Sequence, residues 1–226
     1  VAEATLLLAR RPRGPIAPWL PRSLAALALR FRDARVRLLT ADVDPRDLAG
    51  ATLPPPAHFD TVVVIERPRS PWSTPPAPVA ERDDALDWLT GARGYRAEVR
   101  RILERPDPPP PGGRASGLVF VATAVRAASL SAEAFDAHWR DRHAPLALAH
   151  HAGLCGYEQF AVRTPLTASA TPIDGLALLH FPDPGAYRDR FYDAADGRDA
   201  IRADTVRFLD VARCEAALLG EYGVRS

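Results

Sequence analysis

The chain has 226 residues, 47% of them hydrophobic and 25% charged, which suits one large or two small ordinary globular domains. There is no Lys, so the 29 basic residues are all Arg; 28 carboxylates balance them to a net charge of +1, leaving no global field to draw nucleic acid or an anionic membrane. Without Lys, Schiff-base catalysis, covalent pyridoxal phosphate and a Walker-type phosphate loop are excluded.

Met and Asn are also absent while Arg, Ala and Pro abound, as in the coding bias of a GC-rich bacterial genome. Cys155 and Cys214 stand apart from each other, in no ligand or redox spacing, and are expected as buried core residues in a reducing cytoplasm. The apolar run Val1 to Ala9 is too short for a signal peptide, and no run of about 18 apolar residues marks a membrane span. A soluble, cytoplasmic protein with no nucleic-acid or membrane partner is expected.

In the first half, Ala4 to Ala9 reads as a strand, and Leu20, Leu24, Leu27 and Phe31 give Pro18 to Phe31 the spacing of an amphipathic helix. Ala34 to Thr40 alternates Val36, Leu38 and Thr40 with Arg35, Arg37 and Leu39, the pattern of a half-buried strand. Thr61 to Glu66 is β-branched and strand-like. The stretch Arg67 to Pro78 is too rich in proline for helix or strand and is expected as a surface loop whose Trp72 covers the barrel or a second chain. A helix from Asp83 to Thr90 and a strand from Ala97 to Leu103 complete the half.

Consecutive prolines then form a stiff linker, 106–115, between a first half at 1–105 and a second at 116–226. The second half repeats the order. Leu118 to Val125 is a strand, and Ser131 caps a helix running to His151. Gly156 to Arg163 and Gly175 to Phe181 are strands, Asp183 to Ala194 and Asp199 to Phe208 are helical, and Ala212 to Glu221 is the closing strand. Each half thus reads βαββαβ, the ferredoxin-like order. The fold class expected is α+β: two tandem ferredoxin-like units whose apolar sheets face each other as a dimeric α+β-barrel type fold, enclosing a pocket. A homodimer that exchanges halves fits the same pattern, and a single α+β domain without a pocket is the plainer alternative.

The segment Phe135-Asp136-Ala137-His138-Trp139-Arg140-Asp141-Arg142-His143-Ala144-Pro145-Leu146 resembles the signature of the EthD family. Leu154-Cys155-Gly156-Tyr157, Asp174-Gly175-Leu176-Ala177 with Phe181, and Asp204 with Phe208-Leu209-Asp210 are similar to its later elements; together they cover about 116 to 221. The resemblance implies a dimeric α+β barrel, among whose relatives are cofactor-independent decarboxylases, dehydratases and cyclases of aromatic polyketide-like compounds. The first half departs from the signature. Its helix at Pro18 to Phe31 has no His and looks like a diverged copy that keeps the fold.

Phe135, Trp139 and His143 are four apart and fall on one helix face, where an imidazole with a pKa of about 6.5 can act as general acid and base beside flat aromatic surface. The same spacing also suits a histidine favoured by a helix C-terminus with core aromatics beside it. Tyr157 and His180 are candidates to face the same cavity, the tyrosine as hydrogen-bond donor to a substrate carbonyl. His138, next to Trp139, is expected to point elsewhere; His150 and His151 are expected at the surface; Asp204 and Asp210 are expected to cap or to pair with Arg202, Arg207 or Arg213. No carboxylate or thiol joins the histidines at a metal-ligand spacing, and no nucleotide, acyl-serine or zincin motif occurs, so no metal or cofactor is expected. The reading that follows is a cofactor-independent lyase acting on a small aromatic or polyketide-like carbonyl compound through His143. A non-catalytic carrier of a hydrophobic ligand, or a cofactor-free monooxygenase, is the alternative.

Overall fold

A computed structural model describes residues 2–55, 57–67 and 84–224. The proline-rich stretch from residue 68 on, with Trp72, which the sequence suggests as a surface loop, lies outside the described residues, as does Asp83.

In chain order the strands are β1 (Ala2–Ala9), β2 (Arg35–Thr40), β3 (Thr61–Arg67), β4 (Arg93–Leu103), β5 (Leu118–Ala124), β6 (Gly156–Pro165), β7 (Gly175–Phe181) and β8 (Ala216–Gly223). The helices are α1 (Ile16–Arg30), α2 (Ala132–His138), α3 (Ala144–His150), α4 (Pro184–Arg190) and α5 (Ala195–Phe208). All the strands pair antiparallel and close into a barrel in the order β1-β3-β2-β8-β5-β7-β6-β4. The strands of each half run fourth, first, third, second. The halves meet at two seams, β2 with β8 and β4 with β6, so neither sheet leaves an open edge.

Capping is where the sequence placed it: Ser131 Oγ accepts from Ala134 N at 3.1 Å, and Asp183 Oδ1 from Ala186 N at 2.7 Å, with Pro184 opening α4. Three elements differ from expectation. The first half's second helix is a 3-10 turn, Asp84–Leu89, that still buries Leu86 and Leu89. The residues before β8 form another such turn, Val211–Arg213. The single helix expected over Ser131 to His151 is interrupted by a π turn, Trp139–His143. The linker is also more than a spacer, because Gly112 N donates to Gly223 O at 2.7 Å and Ala115 N to Glu221 O at 2.8 Å, laying it along β8.

Strand alternation sends Leu6, Leu8, Val62, Val64, Val121 and Phe160 into the barrel, where they fill its middle. The middle of the barrel between the two sheets is therefore packed solid rather than hollow. Arg37 also points inward, at 3% exposure, contrary to the half-solvated strand its alternation suggested. Its guanidinium donates to Glu158 at 2.6 and 3.2 Å, to Glu221 at 3.0 Å and to Glu66 at 2.9 Å. Arg101 pairs with Glu66 and Arg105 with Glu221. Three Arg and three Glu thus close one end of the barrel.

Outside the barrel, each half lays helices on its sheet. Among the described residues, α1 packs directly on its sheet: Leu20, Leu27 and Phe31 lie with Leu86 and Leu89 on Val36, Leu38, Val63 and Ile65. The only buried hydroxyl of α1, on Ser23, is tied to Ala85 O at 3.2 Å. The second half leaves a cavity in the corresponding place.

Candidate functional site

Pro145, in the first turn of α3, lacks the N–H that would bond Asp141 O in a continuous α-helix, and its ring would press on that carbonyl. The chain widens here instead. Ala144 N donates to Trp139 O, a bond spanning five residues, and Gln159 Nε2 on β6 reaches the same carbonyl at 3.2 Å. In a π turn residues five apart share a face, which brings together His138 and His143. Both reach the buried Asp204 on α5: His138 Nε2 lies 2.9 Å from Oδ1 and His143 Nδ1 2.9 Å from Oδ2. One turn further along α5, Phe208 packs on both rings, each at a centroid distance of 4.8 Å.

His138 therefore does not point away, and Asp204 pairs with histidines rather than arginines. A carboxylate only accepts, so each imidazole donates its contacting N–H. In a neutral His143 this leaves Nε2 as a proton acceptor. Burial pulls the His143 imidazole below its ordinary pKa, and the hydrogen bond and charge of Asp204 oppose that without reversing it. Burial alone would raise the Asp204 carboxyl, but the hydrogen bonds from His143 and His138 outweigh it and keep it low. The result is a neutral, oriented base beside a fixed anion.

His143 lines a cavity of about 830 Å³ between these helices and the outer faces of β5, β6 and β7. Trp139, Tyr157, Tyr187 and Phe191 line it as well. Phe135 does not; it stands behind Trp139 and Phe208, at centroid distances of 5.5 and 5.8 Å, and holds them in place. Tyr157 is buried, with its hydroxyl 2.9 Å from Gln159 Nε2, and burial pushes its pKa up to about 12, so it keeps its proton. His151 is buried too, rather than at the surface: its Nδ1 lies 2.5 Å from Phe191 O, and burial lowers its pKa. His150 is half-buried and pairs with Asp193 at 3.0 Å.

His180 is not part of this cavity. In the β6–β7 register Tyr157 faces Leu179 while His180 faces Gly156, so the two candidates project to opposite sides of the sheet. His180 points into the barrel, donating from Nε2 to Glu158 at 3.3 Å and accepting at Nδ1 from Arg105 at 3.2 Å. Cys155 and Cys214 are half-buried free thiols, not core residues. Among the described residues no three His, Cys, Asp or Glu converge as a metal site, and no helix is long and apolar enough to cross a membrane.

Gly175, at the start of β7, makes room for the cavity's indole. A Cβ there would lie 2.3 Å from Trp139 Cζ3. Gly175→Ala should displace Trp139 and cost about 1–3 kcal/mol, as overpacking does. A melting curve matching the wild type would contradict this contact.

Residues 127–212 match the sequence profile of the EthD domain. This stretch is similar to EthD domains. It contains Phe135, His138, Trp139, His143, Tyr157, His180 and Asp204, and so the whole His–Asp–His arrangement. No curated protein matches the chain in sequence. Among solved structures, an anthrone oxidase-like protein is similar over 100% of this chain and 94% of its own, at 14% identity and a TM-score of 0.62, which shows a shared fold. A candidate monooxygenase from Lactobacillus acidophilus NCFM aligns over 98% of this chain and 93% of its own, at 9% identity and a TM-score of 0.43.

Proposed function

We propose that this protein is a cofactor-independent enzyme of small aromatic carbonyl compounds, with His143 as its general base and acid. The observation that carries this reading is the 2.9 Å contact of His143 Nδ1 with Asp204, which turns the opposite nitrogen into an acceptor beside an aromatic-lined cavity. The substrate's ring lies against Trp139 and Phe191. His143 Nε2 takes a proton from carbon or hydroxyl, Asp204 balances the imidazolium that forms, and the Tyr157 hydroxyl donates to the developing enolate oxygen. Three lyase-type outcomes balance from there: the proton returns to a β-hydroxyl, which leaves as water in a dehydration; it returns to the enolate carbon after the C–C bond to a carboxylate has broken with loss of CO2; or the enolate carbon adds to a second carbonyl of the same molecule and the proton goes to the new alkoxide, an aldol-type cyclisation.

The strand order repeated in the two halves supports two ferredoxin-like units, 1–105 and 116–226, joined by the proline-rich linker. With α1 packed directly on its sheet and carrying no histidine, the first unit serves as barrel wall, and the chain carries one active cavity.

Against a panel of hydroxylated aromatic ketones, His143→Ala should lose about 10²–10⁴-fold in kcat while retaining ligand binding. Unchanged turnover in that variant would remove His143 from the chemistry, and binding without turnover in the wild-type protein would leave only a carrier. A second reading, cofactor-free oxygenation, is favoured by the full-length fold likeness to the anthrone oxidase-like protein and starts with the same proton transfer. Oxygen uptake matching turnover would select it over the lyase.

A further inference from the structure

The end of the barrel opposite the Arg37 cluster is open and forms a second cavity of about 970 Å³. At its centre Glu215 accepts from Arg93 Nη2 at 2.7 Å and meets His58 Nδ1 at 2.7 Å. Arg93 also donates to Thr171 Oγ1 at 2.9 Å and covers the Phe59 ring, so it is fixed on three sides. The mouth nonetheless has cation to spare. Arg93 neutralises Glu215, and Arg10 has Asp60 at 3.8 Å, while Arg213 is exposed on the lining with no carboxylate partner among the described residues.

This mouth is not isolated from the His143 cavity. Pro55, Thr123, Cys214 and Glu215 line both. Thr123 Oγ1 accepts from Glu215 N at 2.8 Å, which makes the ridge between the two spaces a short, pinned edge where β5 meets the lead-in to β8. A ligand lying on Trp139 can therefore continue over that edge towards Arg213.

We infer that the barrel mouth is a second binding compartment, continuous with the first, which takes the carboxylate end of an elongated aromatic ligand through Arg213. The inference rests on the proposed aromatic site. The ring system occupies the His143 cavity, the carboxylate crosses the Thr123–Glu215 ridge, and the ligated anion replaces water at the unpaired guanidinium. Glu215 does not compete for Arg213, because Arg93 and His58 already hold both of its oxygens.

Titration with anthraquinone-2-carboxylate and with its neutral methyl ester tests this. The acid should bind about fivefold tighter than the ester, the worth of a partly exposed ion pair. Arg213→Glu should abolish that preference and leave ester affinity unchanged, and the bound acid should slow alkylation of Cys214 by iodoacetamide, read by peptide mass spectrometry. Equal affinities, a preference that survives Arg213→Glu, or a preference lost instead in Arg202→Glu, on the far side of the His143 cavity, would overturn the compartment and leave the aromatic site standing. If neither probe binds the wild-type protein, the aromatic site and the compartment fall together.

Discussion

Arg37→Met is expected to destabilise the protein by about 3–5 kcal/mol, the usual consequence of removing one partner from a buried ionic cluster. For a chain of this size that lowers the melting midpoint by roughly 6–20 °C. Arg37 touches Glu158, Glu221 and Glu66 at once, on strands β6, β8 and β3. Without it three buried carboxylates remain, with Arg101, Arg105 and the ring of His180 as their partners at that end of the barrel. Adding Glu158→Gln removes one uncompensated charge and should recover part of the loss, whereas two additive losses would mean the groups are not coupled. The cluster also sets the response to acid. Burial works to raise the Glu158 carboxyl, but Arg37, with help from His180, holds it well below the usual carboxylate range. A carboxyl depressed in the folded state contributes stability above its unfolded pKa and loses it as pH falls. Wild-type stability should therefore drop as pH falls below about 4.5, the ordinary glutamate value, and less steeply in Arg37→Met.

The same residues mark how far the sequence could be read. Strand positions and the repeated order followed from β-branched runs and proline punctuation, which act locally. Alternation along one strand suggests a half-solvated Arg37, because it says which residues share a face, not whether water lies beyond it. Barrel closure put a second sheet there. The grouping of Tyr157 with His180 fails for a similar reason. Each strand's parity was visible, but the register that sets Tyr157 opposite Leu179 is a property of the pairing. Trp139 and His143 fall in the cavity because four-residue spacing survives a slight widening of the helix. The partnership of His138 with His143 was illegible, since an α-helix turns residues five apart to different faces. Its one local signal was Pro145, which a sequence reading takes as the end of a helix rather than as a π turn.

Asp204→Asn should lower kcat by about 10²–10⁴-fold with little change in substrate affinity, a loss comparable to that of removing the base. The carboxylate does two things an amide cannot. It accepts from both His138 and His143, one per oxygen, so both rings are held in known tautomers. It also supplies the negative charge that an imidazolium needs in a buried site. Asparagine has a single acceptor oxygen, so one of the two histidines must lose its partner or meet an N–H with its own acceptor nitrogen. If that is His143, its Nδ1 becomes the acceptor and Nε2 carries the proton, which leaves the cavity facing a donor where the reaction requires a base. The pH profile separates this from simple misfolding. Only neutral His143 can take a proton, so activity rises with pH through its pKa, which already lies below the ordinary value because burial outweighs Asp204. Removing the anion leaves burial unopposed, and the acid limb of the residual activity should move to still lower pH. A limb shifted upward, or a variant with wild-type kcat, would remove Asp204 from the proton transfer and return the two histidines to a purely structural role.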